Sequence, residues 1–269
     1  MTYRRDETTD AGSEPPRFIT TLAEDAATVL AAQRLRYRVF HAANATSDAV
    51  PFSASSRVDR DAFDPHCEHL VVRDTRSGDV VGTYRILTAE RARAAGGFYS
   101  ETEFDCARLR RLDARLVEVG RACVDPAYRG GSVITLLLTG LTRWVVANRY
   151  DYVMGCASID VTRGMAEAAT LCRRLVDHHL APDDWRVVPH TPFRPGAHPP
   201  SDAELPPLIK AYLRFGASVC GEPAWDREFQ TADVLMLLPM AAMDPRFRAR
   251  LLRDDPGTRT KKRSSRWAA

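Results

Sequence analysis

Apolar positions along the chain alternate between helical and strand periods. Thr21 and Glu24 have the spacing of a capping box. Ala26, Val29, Leu30, Tyr37 and Phe40 follow at helical intervals through RLRYRVF, which predicts a helix opened near Thr21. Residues 43–66 are rich in Ser, Asp and Ala and read as a loop, of a length that is often functional inside a compact domain. From Glu68 the period changes to two. HLVVRD (69–74) and DVVGTYRIL (79–87) are β-rich runs separated by Thr75-Arg76-Ser77-Gly78, a hairpin signal. Residues 89–113 predict short helices and turns. RLVEVGRACV (115–124) predicts a strand ending at the turn Asp125-Pro126, and GGSVITLLLTGLTRWVVANR (130–149) a largely apolar helix packed on a sheet. YDYVMGCAS (150–158) is the next strand and residues 164–179 the next helix. This strand–turn–helix–strand unit organises an α/β domain.

Eight prolines crowd residues 181–207, too many for regular structure, so the segment is either a linker or a long surface excursion. PLIKAYLRFGA (207–217) and DVLMLLPM (233–240) are again apolar. About 35 residues make a poor independent core, so these runs are expected to rejoin the same sheet. The expected organisation is a flexible leader over 1–17, one domain over 18–245 containing the Pro-rich excursion, and a basic tail over 246–269. Residues 244–266 carry nine Lys or Arg against three Asp. That pattern fits first a solvated helix end with a basic tail, and as the second reading an attraction to an anionic membrane surface.

Composition narrows the class. Hydrophobic residues are 45% and charged residues 27% of the 269, the balance of a soluble globular protein. No apolar run nears the ~20 residues that cross a bilayer, and MTYRRDETTD lacks the apolar core of a secretory signal. Six cysteines without CxxC pairs read as reduced cytosolic thiols, so a cytoplasmic location is expected. A net charge of +3 does not point to nucleic acid, and the excess of 35 Arg over 3 Lys reads as coding bias.

The stretch EVGRACVDPAYRGGSVITLLL (118–138) carries most of the chemistry. A strand ends at a Pro turn, and Arg129-Gly130-Gly131-Ser132 opens a helix whose free N–H groups suit a phosphate; plain turn chemistry explains the same glycines. The loop lacks the Gly-Lys-Ser/Thr ending of a nucleotide-hydrolysing P-loop and is not GxGxxG, which disfavours nucleotide hydrolysis and hydride transfer. Strict alternation would send Glu118 and Arg121 to opposite faces of their strand.

The strand, loop and apolar helix resemble the acyl-CoA-binding core of GNAT N-acyltransferases. The ordered series Leu35-Arg36-Tyr37-Arg38-Val39-Phe40, Phe63-Asp64, Cys67-Glu68-His69-Leu70, Val81-Gly82-Thr83-Tyr84-Arg85, Glu118-Val119-Gly120-Arg121 and Gly155-Cys156-Ala157-Ser158 is closer to one branch. That branch is the acyl carrier protein-dependent enzymes, which include acyl-homoserine-lactone synthases and ornithine N-acyltransferases. GGFYSETEF (97–105) and LIKAYLRFGA (208–217) point to the ornithine enzymes. The resemblance covers roughly residues 30–245. It departs from the family at SVCGEPAWD (218–226), where a glycine-rich VGDGA-type segment is usual, and at Ile159-Asp160-Val161-Thr162, where a Gly-Thr-Asp-type turn is usual.

The resemblance implies a GNAT fold, a mixed twisted central sheet flanked by helices, with a bulge at Gly120 that turns Glu118 and Arg121 toward one cleft. It also implies transfer of a long-chain acyl or 3-hydroxyacyl group from acyl carrier protein to the α-amine of an amino acid, ornithine above all, giving a lyso-ornithine lipid. The donor substrate would be the acyl-phosphopantetheine of the carrier protein or acyl-CoA, with no bound cofactor. Partners would be the carrier protein, the amino acid and the inner membrane leaflet.

Amide formation needs a neutral amine, a stabilised oxyanion and a protonated thiol leaving group. Glu118 between Val117 and Val119 is the candidate base; a strand-edge Glu paired with Arg is the bland alternative. Backbone N–H groups near Cys123 and Val124 would receive the thioester carbonyl, and Arg129–Ser132 the donor phosphate. Arg36, Arg85 and Arg121 lie in or beside apolar runs and need anions, with Asp64 and Glu68 as expected partners; an internal ion-pair network fits as well. Asp226, Asp233 and Glu222 are candidates for the δ-ammonium of ornithine. Leu136, Leu137, Val145 and Val153 are candidates for an acyl tunnel. Asp64-Pro-His66-Cys67-Glu68-His69 matches no common zinc spacing, so no metal is expected. Cys123 in an apolar strand reads as packing rather than as an acyl nucleophile. The competing readings are a lactone synthase, a CoA-dependent acetyltransferase and a non-catalytic acyl-binding protein on the same scaffold.

Overall fold

The computed structural model describes residues 16–40, 57–199 and 201–253. The leader through residue 15, most of the predicted 43–66 loop and the tail from residue 254 lie outside the described residues.

The chain enters as strand β1 (Phe18–Leu22), which pairs antiparallel with β2 (Glu68–Asp74). Thr21 therefore sits in a strand and opens no helix. Helix α1 (Ala26–Phe40) is capped instead by Asp25, whose carboxylate accepts the Thr28 N–H at 2.7 Å. The β-branched run Ile-Thr-Thr, laid along an available sheet edge, prevails over the local capping signal.

The predicted hairpin is present as β2 and β3 (Val80–Thr88). Helix α2 (Ala89–Ala95) and two 3-10 turns, Tyr99–Thr102 and Ala107–Arg115, flank the short strand β4 (Phe104–Asp105). Strand β5 (Leu116–Val124), helix α3 (Ser132–Ala147), strand β6 (Tyr152–Asp160) and helix α4 (Met165–His179) follow. After the Pro-rich segment, which contributes β7 (Val188–Pro189), come α5 (Pro207–Arg214), β8 (Ser218–Val219), β9 (Ala224–Asp226), β10 (Thr231–Pro239) and α6 (Pro245–Leu252).

The main sheet has the order β1-β2-β3-β5-β6-β10-β8, with β9 also on β10. Thus the late apolar run does return to the sheet, beside β6. Alternation sorts its side chains. Leu70, Tyr84, Ile86, Val117, Val119, Val234 and Met236 face α3, α4 and α5. Val71, Leu87, Leu116, Leu235 and Leu237 face the side carrying α1, α2 and the 3-10 turns. The Pro-rich segment is laced onto this second side: Val187 N–H donates to Cys220 O, His190 N–H to Glu103 O, and β7 pairs with β4. Proline suits such a strap, since few of its N–H groups are asked to join a ladder.

Two irregularities shape the centre. β5 and β6 are parallel, but their register ends at Glu118↔Met154, although both strands continue for several residues. Across β3, Thr83 opposes Cys123 while Arg85 opposes Gly120, so β5 carries one extra residue there. Arg121 takes it up with φ +51°.

Candidate active site

A cavity of about 380 Å³ opens where β5 and β6 diverge, and its lining comes from both faces of the sheet. On one side are Leu138, Leu141, Val145, Ile209, Phe215 and Met240; on the other are Leu87, Tyr99, Glu118 and Cys156. Leu138, Leu141, Thr142 and Val145 form one helical stripe of α3. Of the predicted tunnel residues, Val145 and Val153 line the cavity. Leu136 and Leu137 do not: Leu137 is buried in the core beside Gly82, and Leu136 is half-buried at the margin of that core.

The bulge brings Glu118 and Arg121 to the same face. Glu118 is 4% exposed. Its Oε2 accepts the Tyr99 N–H at 2.7 Å, and its Oε1 accepts the Ser100 N–H at 2.7 Å and the Ser100 hydroxyl. Burial raises its pKa, with the Ser100 hydroxyl and the two N–H groups opposing. Glu118 thus touches the cavity and also holds the Tyr99–Thr102 turn in place. The turn sets the Tyr99 ring 5.0 Å from the Arg121 guanidinium, which also meets Phe229 at 4.8 Å.

Arg121 reaches Asp59 at 3.5 Å and Asp61 at 3.3 Å. Arg85 binds Asp61 at 2.6 Å and stands 3.8 Å from Asp64. Arg36, wholly buried, forks onto both Asp64 oxygens at 2.8 Å and reaches Asp59. Asp64 therefore partners the arginines as its position suggests, and Asp59 and Asp61 complete the network. Arg36 lies behind this network and does not line the cavity. Glu68 is elsewhere: alternation along β2 turns it to the α3 side, where it accepts the Trp144 indole N–H at 3.0 Å.

The cavity meets β5 from Glu118 to Ala122. Cys123 and Val124 lie past the bulge, paired with β3, and Cys123 packs with Ala32, Leu35, Val71 and Val80; burial pushes its thiol up to about 12. Arg129–Ser132 form an exposed corner. Gly131 precedes α3 at φ +94° and, as a glycine, has no side chain to cap the N–H groups there.

A second, more open cavity shares Tyr99, Arg121, Asp226 and Phe229 with the first and is walled by Asp59, Asp61, Glu103 and Trp225. At this boundary Glu103, Asp226 and Asp233 converge, with carboxylate oxygens within 4.8 Å of one another. Burial, reinforced by Asp233, lifts Glu103 to about 8. Burial likewise lifts Asp233 to about 6, although Thr231 donates to it at 2.7 Å. Neither buried Glu103 oxygen has a well-formed hydrogen bond among the described residues, and the Tyr99 and Cys156 side chains beside it only partly offset burial. Such a cluster suits an ammonium or a hard cation. Glu222 is outside it, exposed and paired with Arg194 at 2.9 Å. Glu103 lies within GGFYSETEF, where no local pattern marks it as a site residue; the one local signal is the flanking Phe104, 1% exposed, which pins its turn into the core.

The divergent parallel strands, the bulge and a cavity through the sheet define a GNAT-fold acyltransferase. The Acetyltransferase (GNAT) domain family matches residues 35–139. The chain is 36% identical over 249 residues to an L-ornithine N(α)-acyltransferase of Brucella abortus, covering 84% of this chain and 85% of that protein. It is 37% identical over 252 residues to one of Rhodobacter capsulatus, covering 87% and 94%. It belongs to the L-ornithine N(α)-acyltransferase family. Its fold is similar to that of a CoA-dependent acyl-homoserine lactone synthase, BjaI, with a TM-score of 0.54 and 11% identity over 92% of this chain and 95% of that one. Among the described residues no helix is long and apolar enough to cross a membrane.

Proposed function

We propose that this enzyme transfers a long-chain acyl group from the phosphopantetheine thioester of acyl carrier protein to the α-amine of ornithine, giving a lyso-ornithine lipid. The observation that carries the reading is the shared wall between an apolar cavity and an acidic one, with Arg121 and Tyr99 in that wall. An acyl chain suits the first. An amino acid with a second ammonium suits the Glu103–Asp226–Asp233 cluster, where its positive charge would take over from the proton that burial keeps on Glu103.

In this reading the thioester carbonyl meets the backbone at Gly120–Ala122, and the donor phosphate meets the N–H groups of Arg129–Ser132. The α-amine loses a proton to Glu118 and attacks the carbonyl carbon. A C–N bond forms, the C–S bond breaks, and the thiolate leaves with a proton. Arg121, with Asp64 and Arg85 behind it, orients the acceptor. Arg36 acts as a positioning residue. The acidic carrier protein would be drawn by basic surface near Arg129, and the basic C-terminal segment would favour an anionic membrane surface.

The test is mass spectrometry of the purified enzyme's products with acyl carrier protein thioester and ornithine, and with acyl-CoA in its place. An ornithine amide formed from the carrier-protein thioester supports the reading. An amide only from acyl-CoA replaces the donor, and acylation of another amine but not ornithine replaces the acceptor.

A further inference from the structure

In the proposed function, on which this inference rests, the departing thiolate takes up a proton, and that proton needs a donor at the cavity wall. A chain of three side chains runs from the base to that wall. Cys156 Sγ donates to Ser100 Oγ at 3.6 Å, and the Ser100 hydroxyl donates to Glu118 Oε1. Glu118 and Cys156 line the cavity, whereas Ser100 is sealed from solvent. Five of the six cysteines are buried, and Cys156 is the one that is not.

Cys156 also has the right place along the sheet. β5 and β6 keep their parallel register through Glu118↔Met154. Two steps further on, Gly120 and Cys156 stand level on the two banks of the gap. A thioester whose carbonyl meets Gly120–Ala122 therefore has the Cys156 thiol on the opposite bank. Burial, with Glu103, Asp233 and Glu118 nearby, pushes this thiol well above its ordinary range. A thiol so placed stays protonated. It is a poor nucleophile, and it keeps a proton to hand on. Glu103 also stands beside Cys156, but with ornithine seated it is the counter-ion of an ammonium and has no proton to give.

We propose that Cys156 is the catalytic residue that protonates the leaving thiolate, and that Ser100 reloads it from Glu118. Glu118, once it holds the proton of the amine, donates to Ser100 Oγ. The Ser100 proton turns to Cys156 Sγ, and the Cys156 proton passes to the pantetheine sulfur as the C–S bond breaks. Each of three protons moves one place, so Glu118 ends as the carboxylate while Ser100 and Cys156 end protonated as they began. The net change carries one proton from a carboxylic acid to a thiolate. That direction is favourable, since the ordinary pKa values are about 4.3 for Glu and about 8.5 for a thiol.

The experiment measures kcat and KM for Cys156→Ala, Cys156→Val and Cys156→Ser with acyl carrier protein thioester and ornithine. Alanine and valine bracket cysteine in volume, so a packing defect in one is not shared by the other. Both are expected to lose about a hundredfold in kcat, the low end for a general acid, with both KM values little changed. Serine accepts and donates from the same place, so its variant is expected to keep most of its kcat. Ser100 is the less clean position to vary, because its hydroxyl also bears on the Glu118 pKa. A second donor, the thiophenyl ester of the same acyl chain, expels a far weaker base that needs no acid. On it the alanine deficit should shrink. Unchanged kcat in the alanine and valine variants overturns the inference while ornithine acylation stands, and so does a serine variant as slow as they are. An equal alanine deficit on both donors also overturns it. No acyl transfer by the wild-type enzyme overturns the proposed function and this inference with it.

Discussion

The carbonyl oxygen of Val119 faces Gly155 so closely that a Cβ on residue 155 would stand 2.2 Å from it. The contact lies one step past Glu118↔Met154, the last registered pair of the two parallel strands. Gly155 thus fixes where the strands part and where the cavity begins.

Gly155→Ala is therefore expected to push β6 from β5 and to cost roughly 1–3 kcal/mol of stability, the usual penalty of overpacking. Acyl transfer should fall more than the melting temperature suggests, because the displaced backbone borders the cavity in which the thioester is proposed to sit. Thermal unfolding and steady-state kinetics on the same preparation check both parts.

Ser100 gives a test of Glu118 as base that Glu118→Gln cannot. A glutamine amide would turn its NH₂ toward N–H donors, upsetting the Tyr99–Thr102 turn as well as the chemistry. Ser100→Ala removes only the hydroxyl that opposes the burial-driven rise of the Glu118 pKa. The acidic limb of the pH–kcat/KM profile should move to higher pH in this variant. An unmoved limb would assign the base elsewhere.

Glu103 makes stability depend on pH. Its folded pKa of about 8 lies above its ordinary value, so the folded state binds more protons and stability falls as pH rises from about 4.5 to about 8. Glu103→Gln should melt higher than wild type at pH 8.5 and close to it near pH 4. Ornithine should raise the wild-type melting temperature at pH 8, and the variant should need at least about tenfold more of it, the loss expected for one charge-assisted contact.

Asp64 behaves in the opposite sense. Burial disfavours its charge, yet the Arg36 hydrogen bonds and charge outweigh burial and hold its pKa below the ordinary value. The stabilisation is complete above the unfolded pKa near 4 and is lost as pH falls through the lowered folded value. Asp64→Ala strands Arg36 without its fork partner and is expected to destabilise by about 3–5 kcal/mol in urea unfolding at pH 7.

Much of the sheet was legible because β2, β3, β5, β6 and β10 are long apolar runs of period two or are bounded by turn residues. The edge strand β1 was not, since Thr21 and Glu24 carry a capping pattern that only the proximity of β2 overrides. Within the site, the common face of Glu118 and Arg121 followed from a bulge beside Gly120. Glu68 could not be assigned from its neighbours, because one step of register moved it to Trp144 and gave the arginine face to His69. Asp226 and Asp233 were visible as acids in a divergent segment. Their union with Glu103 depends on a turn more than 120 residues earlier in the chain, and no local pattern encodes that meeting.

The ion-pair network around residues 59–64 has a further consequence for how the enzyme meets dissolved salt. Asp64 and Arg36 are sealed from solvent, and mobile ions cannot enter between them. The Asp61 side chain, by contrast, is 23% exposed where it holds Arg85 and Arg121. Screening acts over about 8 Å at physiological ionic strength and mainly between charges that water reaches. Raising ionic strength will therefore loosen the wall of the polar cavity at Asp61 well before it reaches the Arg36 anchor, so the proposed acceptor pocket carries the salt sensitivity while the fold does not.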